Sequence, residues 1–316
     1  MQLREESKLF LDGLKSIGFA QGDGAFFGKS IDEVYSIIEE FKKNSTPIFI
    51  HPDVKQSNSV ISHGDFQTEV RIYRPTKSNK KSLPALIYFH GGGWVLGNLD
   101  TSHNQCQNIC LELNCIVISV DYKLAPQYQF PYLPFECSSI TKYFHENASK
   151  HGIISTKIAV GGDSSGGNLA AVIPQLLKNT IEISAQVLIY PVTDLRCQSE
   201  SYAAYSQGFA LTAADMKWFI EKYVPNQLDR VNPMASPLLQ DDLSGLPPAL
   251  FLLAEYDPLA AEGLQYANSL QNAHVHVEID GGKGLIHNFF GMTDAFPSES
   301  AEGRRKVVQF LNKIWR

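Results

Sequence analysis

The stretch Ile158-Ala159-Val160-Gly161-Gly162-Asp163-Ser164-Ser165-Gly166-Gly167-Asn168-Leu169-Ala170-Ala171 passes from an apolar, strand-like run into a helix-like one, with a glycine-flanked serine at the join. A serine at the apex of a tight strand-to-helix turn is held in strained backbone geometry, and the residues two positions to either side must lack bulk. Gly162 and Gly166 meet that demand around Ser164, whereas the same frame around Ser165 would need glycine where Asp163 stands. Ser164 is therefore the candidate nucleophile.

Outward from this turn, short apolar runs alternate with longer helical patterns from residue 84 onward, the mark of a mostly parallel sheet flanked by helices. Strands are expected at 85–89, 115–121, 157–160, 185–190, 249–254 and 275–279. Residues 67–74 alternate polar and apolar side chains and read as an edge strand. Helices are expected at 103–114, 135–150, 166–179 with a kink at Pro174, 259–272, and in a last segment ending at Trp315, where Val307, Leu311 and Ile314 share a face.

Two segments stand outside the alternation. Ile31, Val34, Ile38 and Phe41 give one apolar helical face within residues 1–46, and a further helix is expected at 212–224 within residues 195–232. Each is too small to fold alone. The expectation is a single domain, 1–316, in which these two segments pack together as a helical cap over the carboxyl ends of the strands, with 47–194 and 233–316 as the catalytic core.

A chain of 316 residues with 44% hydrophobic and 19% charged residues can bury a full globular core. Its net charge of -6, without a block of Lys and Arg, argues against nucleic acid as a partner. No apolar run approaches the roughly 18 residues of a membrane span, and the N-terminus is charged where a signal peptide is apolar, so a cytoplasmic protein without a membrane span is expected. Asn44-Ser45-Thr46 and Asn147-Ala148-Ser149 match the glycosylation pattern but carry no such reading without a secretion signal. Five cysteines without a Cys-x-x-Cys pair suggest reduced thiols rather than disulfides, and no ligand set for a metal follows them. The sequence is compatible with a homo-oligomer and leaves the oligomeric state open.

A serine hydroxyl is a poor nucleophile at neutral pH, so Ser164 needs a base, a group to orient that base, and donors for a developing oxyanion. His90-Gly91-Gly92-Gly93-Trp94 follows the strand at 85–89, and successive glycines let backbone N–H groups approach a ligand. Gly91 and Gly92, with the N–H of Ser165, are the expected oxyanion donors. Nucleotide motifs fail in register: the sixth position from Gly91 is Leu96, and the residue five before Gly28-Lys29-Ser30 is Asp23.

For the acid, Asp257 in Ala254-Glu255-Tyr256-Asp257-Pro258-Leu259 ends an apolar strand, with Glu255 and Asp194 as rivals. For the base, His287 lies in a loop after the last strand, in Leu285-Ile286-His287-Asn288-Phe289-Phe290, whereas His274 and His276 are expected to share a strand face. The other histidines read as structural. Trp94, Tyr205 and Phe209 are candidate substrate-pocket residues; Phe26, Phe27 and Tyr202 share with Tyr205 and Phe209 the choice between lining a pocket and forming cap core.

Taken together, these motifs resemble the hormone-sensitive lipase family of esterases, within the α/β-hydrolase fold, from about residue 66 to the C-terminus. The resemblance rests on His90-Gly91-Gly92-Gly93-Trp94, Asp121-Tyr122-Lys123-Leu124-Ala125-Pro126, Gly162-Asp163-Ser164-Ser165-Gly166-Gly167-Asn168, Ala254 to Leu259, and Ile286-His287-Asn288-Phe289. It implies Ser164 as nucleophile, Asp257 as acid and His287 as base, with no metal or organic cofactor. It also implies short- to medium-chain carboxylic esters as small-molecule substrates, cleaved through an acyl-enzyme. Lys123, Gln127, Ser165 and Asn288 depart from the family's usual arginine, glutamate, alanine and glycine. The same triad could serve an amide or N-acyl hydrolase or an acyltransferase. A ligand receptor on this fold, as among plant hormone receptors that have lost the histidine, is disfavoured by His287.

Overall fold

Runs such as Leu83–Phe89 and Ile116–Asp121 consist almost entirely of buried side chains, and strands of that kind are stable only when both faces of their sheet are covered. In the computed structural model, residues 2–16, 24–43 and 48–316 are described, without the side chains of 39–43. The sheet has eight strands in the order β1-β2-β4-β3-β5-β6-β7-β8. They are β1 Val54–His63, β2 Phe66–Pro75, β3 Leu83–Phe89, β4 Ile116–Asp121, β5 Ile153–Asp163, β6 Ala185–Ile189, β7 Ala249–Leu252 and β8 Val277–Asp280. From β4 to β8 all neighbours are parallel; β1 and β2 add antiparallel pairs at one side.

The helices are α1 Glu5–Ser16, α2 Ile31–Lys43, α3 His103–Leu113, α4 Tyr132–Glu146, α5 Ser165–Leu177, α6 Glu200–Ala204, α7 Ala213–Tyr223, α8 Ala260–Asn272 and α9 Pro297–Ile314. Strand pleating divides the core between the two faces. Leu86, Tyr88, Val117 and Val187 point towards α3 and α9, while Ala85, Ile87, Phe89 and Ile118 point towards α4, α5 and α8. The protein is an α/β-hydrolase fold.

Two expectations change. Residues 67–74 do form a strand, but β1 lies outside it, so β2 is internal to the sheet. Only Val54 and Ile61 of β1 are buried; the strand is held by its backbone ladder through the Gly64-Asp65 hairpin turn and has almost no apolar pattern to read. His274 and His276 precede β8, with His274 in the left-handed region at φ 62°, and both are exposed in the turn. The helix expected at 166–179 is α5, which runs through Pro174 to Leu177.

Residues 24–38 meet α7 directly. Phe26 donates its N–H to Asp215 Oδ1 at 2.8 Å, Trp218 donates its indole N–H to the Lys29 carbonyl at 2.9 Å, and the Phe26 ring lies 5.4 Å from that of Phe219. Of the expected apolar face on α2, Val34 is fully buried and Ile31 and Ile38 pack against the core; the Phe41 side chain and residues 44–46 lie outside what is described. Ahead of and within α1, Arg4 donates its N–H to Gly284 O and pairs with Glu302, and Phe10 packs on Phe296.

The segment leaving β6 is tied to the first turn of α8 by Glu262, 1% exposed, whose Oε1 accepts the N–H groups of Thr193 and Asp194 at 2.7 and 3.1 Å. Burial pushes the Glu262 carboxyl well above its ordinary range, against the pull of those two donors. An acid raised in the folded state contributes stability that is complete below its unfolded value and lost as pH rises through the folded one. Glu262→Gln keeps an acceptor for both N–H groups and removes that loss. Thermal melts should therefore show the variant losing less stability than the parent as pH rises above the ordinary carboxylate range.

Candidate active site

Ser164 sits between β5 and α5 at φ 56° and ψ −117°, the left-handed strain expected of a serine at such a turn. Its flanks explain the glycines. A Cβ on Gly166 would overlap the carbonyls of Phe89 and His90, and one on Gly162 would overlap Gly166 and Phe89, so the end of β3 lies directly against the start of α5. The turn is fixed by the Ser164 N–H donating to Ile189 O at 2.9 Å and by the Asn168 amide donating to Val192 O and Ala235 O, both at 2.9 Å.

His287 Nε2 lies 3.0 Å from Ser164 Oγ, and His287 Nδ1 lies 2.6 Å from Asp257 Oδ2. With Asp257 as the acceptor, the ring proton sits on Nδ1 and Nε2 is left to accept the serine hydroxyl. Asp257 is fully buried and His287 is 3% exposed, so water does not compete for this relay. The second Asp257 oxygen accepts the Leu259 N–H at 2.9 Å, and the Tyr190 ring lies 4.5 Å from the imidazole. The rival acids are engaged elsewhere. Asp194 pairs with Arg196 at 2.7 Å, while Glu255 accepts the Gly284 N–H at 2.7 Å and so shapes the loop that carries His287.

The glycine run departs from expectation. Gly91 donates its N–H to Asp163 Oδ1 at 3.1 Å and is not free to meet an oxyanion. The N–H groups of Gly92 and Gly93, at φ 124° and 60°, have no acceptor among the described residues. Ser165 opens α5, where the first N–H groups lack an intrahelical partner. Next to Ser164, the amides without an acceptor among the described residues are thus those of Gly92, Gly93 and Ser165. Identical residues in a row left the sequence no way to tell which amide is spent on the fold. His90 is fully buried, its pKa pushed down to about 4 by burial; neutral, it donates from Nδ1 to the Gly91 carbonyl at 2.8 Å while stacking on Tyr122.

A cavity of about 660 Å³ opens onto Ser164 and His287, walled by apolar residues that include Phe26, Leu96, Leu211, Met216 and Phe219. None of the three expected pocket residues lines it. Trp94 is fully buried and stacks on Tyr223 at 4.7 Å; Tyr205 and Phe209 close around Tyr256, each ring at 5.5 Å. All three have aromatic partners away from the cavity, with Tyr205 half-buried. Phe26 does reach the cavity, whereas Tyr202 is buried and Phe27 is 42% exposed outside it. The wall also carries Asp163, Asp215 and Asn288, and among the described residues no Lys or Arg lines it. Among these residues no cluster of three or more His, Cys, Asp or Glu is arranged for a metal, and no helix is long and apolar enough to cross a membrane.

The profile of the alpha/beta hydrolase fold family matches residues 86–291. An ethyl acetate hydrolase of Pseudomonas putida is 37% identical over 266 residues, 83% of each chain. The carboxylic ester hydrolase LipN of Mycobacterium tuberculosis is 36% identical over 270 residues, 83% of this chain and 70% of LipN. The chain belongs to the hormone-sensitive lipase family of α/β hydrolases. Among solved structures, an ester hydrolase from the metagenome of Lake Arreo, complexed with a derivative of bipyridine phosphonate, matches with a TM-score of 0.90 and 32% identity over 99% of both chains.

In this hormone-sensitive lipase-type hydrolase the elbow makes a steric demand that can be tested without substrate. Gly166→Ala places a methyl group against backbone carbonyls that cannot yield. Chemical denaturation should show a loss of more than about 3 kcal/mol, or no folded protein at all.

Proposed function

We infer that this chain is a serine hydrolase acting on carboxylic esters, with Ser164 as nucleophile, His287 as general base and acid, and Asp257 orienting the imidazole. The observation that carries this reading is the continuous hydrogen-bonded relay from Ser164 through His287 to Asp257 at the floor of an apolar cavity. The esterase names of its relatives point the same way.

As Ser164 Oγ bonds to the ester carbon, its proton passes to His287 Nε2 and the carbonyl electrons move onto oxygen. That oxyanion takes hydrogen bonds from the N–H groups of Gly92, Gly93 and Ser165. Collapse breaks the bond to the alcohol oxygen, which leaves with the proton from His287. A water, deprotonated by His287, then releases the acid and restores Ser164.

The segments 1–46, where described, and 195–232 act as the cap in this reading, since Phe10, Leu14, Phe26, Leu211, Met216 and Phe219 all line the cavity. A cavity of about 660 Å³ suits short to medium acyl chains rather than long ones. A wall with two aspartates and no cation, among the described residues, disfavours anionic substrates.

Hydrolysis profiles over matched aryl esters test both parts. Ser164→Ala should lower kcat by on the order of 10⁶, and near-full activity in that variant would reject the site. Esters with a terminal carboxylate on the acyl chain should show kcat/KM more than about tenfold below their neutral isosteres.

A further inference from the structure

Gly91, removed from the set of oxyanion donors, raises the question of what its hydrogen bond does. Asp163 is the residue immediately before Ser164, at the end of β5. Its Oδ1 crosses to the neighbouring strand and loop, accepting the Gly91 N–H at 3.1 Å and the Tyr88 hydroxyl at 2.8 Å. The oxyanion donors come from two separate pieces of chain: Gly92 and Gly93 from the loop after β3, Ser165 from the start of α5. Their spacing decides whether one oxygen can meet all three.

Over residues 90–97, among the described residues, the other side-chain hydrogen bonds grip carbonyls and come from outside β5 and α5. Tyr122 donates to His90 O at 2.7 Å, His90 donates to Gly91 O at 2.8 Å, and Tyr35 donates to Val95 O at 3.3 Å. Among the described residues, Asp163 is the only side chain of β5 or α5 that hydrogen-bonds to the glycine loop. It joins the residue before the nucleophile to the residue before Gly92. A Cβ at position 91 would overlap the Asp163 carboxylate, so the first glycine of the run is needed to admit this contact.

We propose that Asp163 is a positioning residue for catalysis, pinning the glycine loop to the nucleophile turn so that Gly92, Gly93 and Ser165 converge on one oxyanion. This rests on the reading of Ser164 as nucleophile. A carboxylate here is not free of cost: desolvation pushes it above its ordinary pKa, against the pull of Tyr88, His287 and the Gly91 N–H. Its negative charge also lies near the place where an oxyanion forms. An amide could supply the same acceptor without the charge, and that separates the hydrogen bond from the charge.

The test compares Asp163→Ala, Asp163→Asn and Ser164→Ala by kcat and KM on a neutral aryl ester, by affinity for an aryl trifluoromethyl ketone whose serine adduct carries the oxyanion, and by thermal melts. Displacement of catalytic groups by about 1 Å costs up to about 10² in rate. Asp163→Ala should therefore lose at least about tenfold in kcat with KM changed less than about threefold, and its affinity for the ketone should fall in step with kcat/KM. Asp163→Asn, whose amide oxygen still accepts from Gly91 and Tyr88, should recover most of that loss. Full kcat in Asp163→Ala would overturn the proposal, as would an Asn variant as slow as the Ala variant. If Asp163→Ala does not fold, Asp163→Ser, polar but too short to reach Gly91, carries the same comparison. Failure of both to fold would overturn the proposal, because the residue would then be holding the fold rather than the loop. Activity surviving in Ser164→Ala would strike the site reading instead, so the two failures are distinct.

Discussion

The close approach of the end of β3 to the start of α5 is the constraint on which the rest of the site depends. The carbonyl of Phe89 occupies the space a side chain at 162 or 166 would need, so the chain can turn there only with glycine at both positions. That turn forces Ser164 into a left-handed conformation, a strain of about 1–3 kcal/mol. The energy is offset by α5, whose exposed surface is almost nil: every residue from Ser165 to Pro174 is buried. One packing contact thus presents the serine, aims the Ser165 N–H at the same side, and brings the glycine loop within reach of a side chain at 163.

Around this centre the loops are tied down by acids that accept backbone N–H groups. Glu255 holds Gly284 in the loop of His287, Asp257 holds Leu259, Glu262 holds Thr193 and Asp194, Glu136 holds Lys123, and Asp163 holds Gly91. Carboxyl oxygens placed in this way satisfy backbone N–H groups and fix irregular chain that no ladder or helix can fix. Their cost is desolvation, visible in the raised carboxyls of Asp163, Glu136 and Glu262. The strands place the ends of the loops and the acids place their middles.

This division explains what was legible in the sequence. Ser164 and Asp257 each follow a strand with a buried apolar run, whereas His287 follows β8, a partly exposed strand that alternates apolar and charged residues; the structure brings the three within hydrogen-bonding distance. Five of the six parallel strands are readable from apolar runs, and β8 from its alternation. β1 is not, because a polar edge strand is specified by its hairpin turn and its neighbour's backbone rather than by side-chain pattern. The sequence does not separate Gly91 from its neighbours as a donor, because the three glycines differ only in what their amides meet, and that depends on Asp163, 72 residues away. The aromatic residues differ on similar grounds. Trp94, Tyr205 and Phe209 have the chemistry of a pocket wall, but ring partners on distant segments, stacked on Trp94 and Phe209 and edge-on to Tyr205, hold them away from the cavity.

Covalent labelling reads the central claim most directly. Treating the folded protein with a dialkyl aryl phosphate and mapping the adduct by mass spectrometry should show a single phosphoryl group, on the peptide containing Ser164, with loss of esterase activity in proportion. Stoichiometric labelling at another serine, or full inactivation with Ser164 unmodified, would contradict the account.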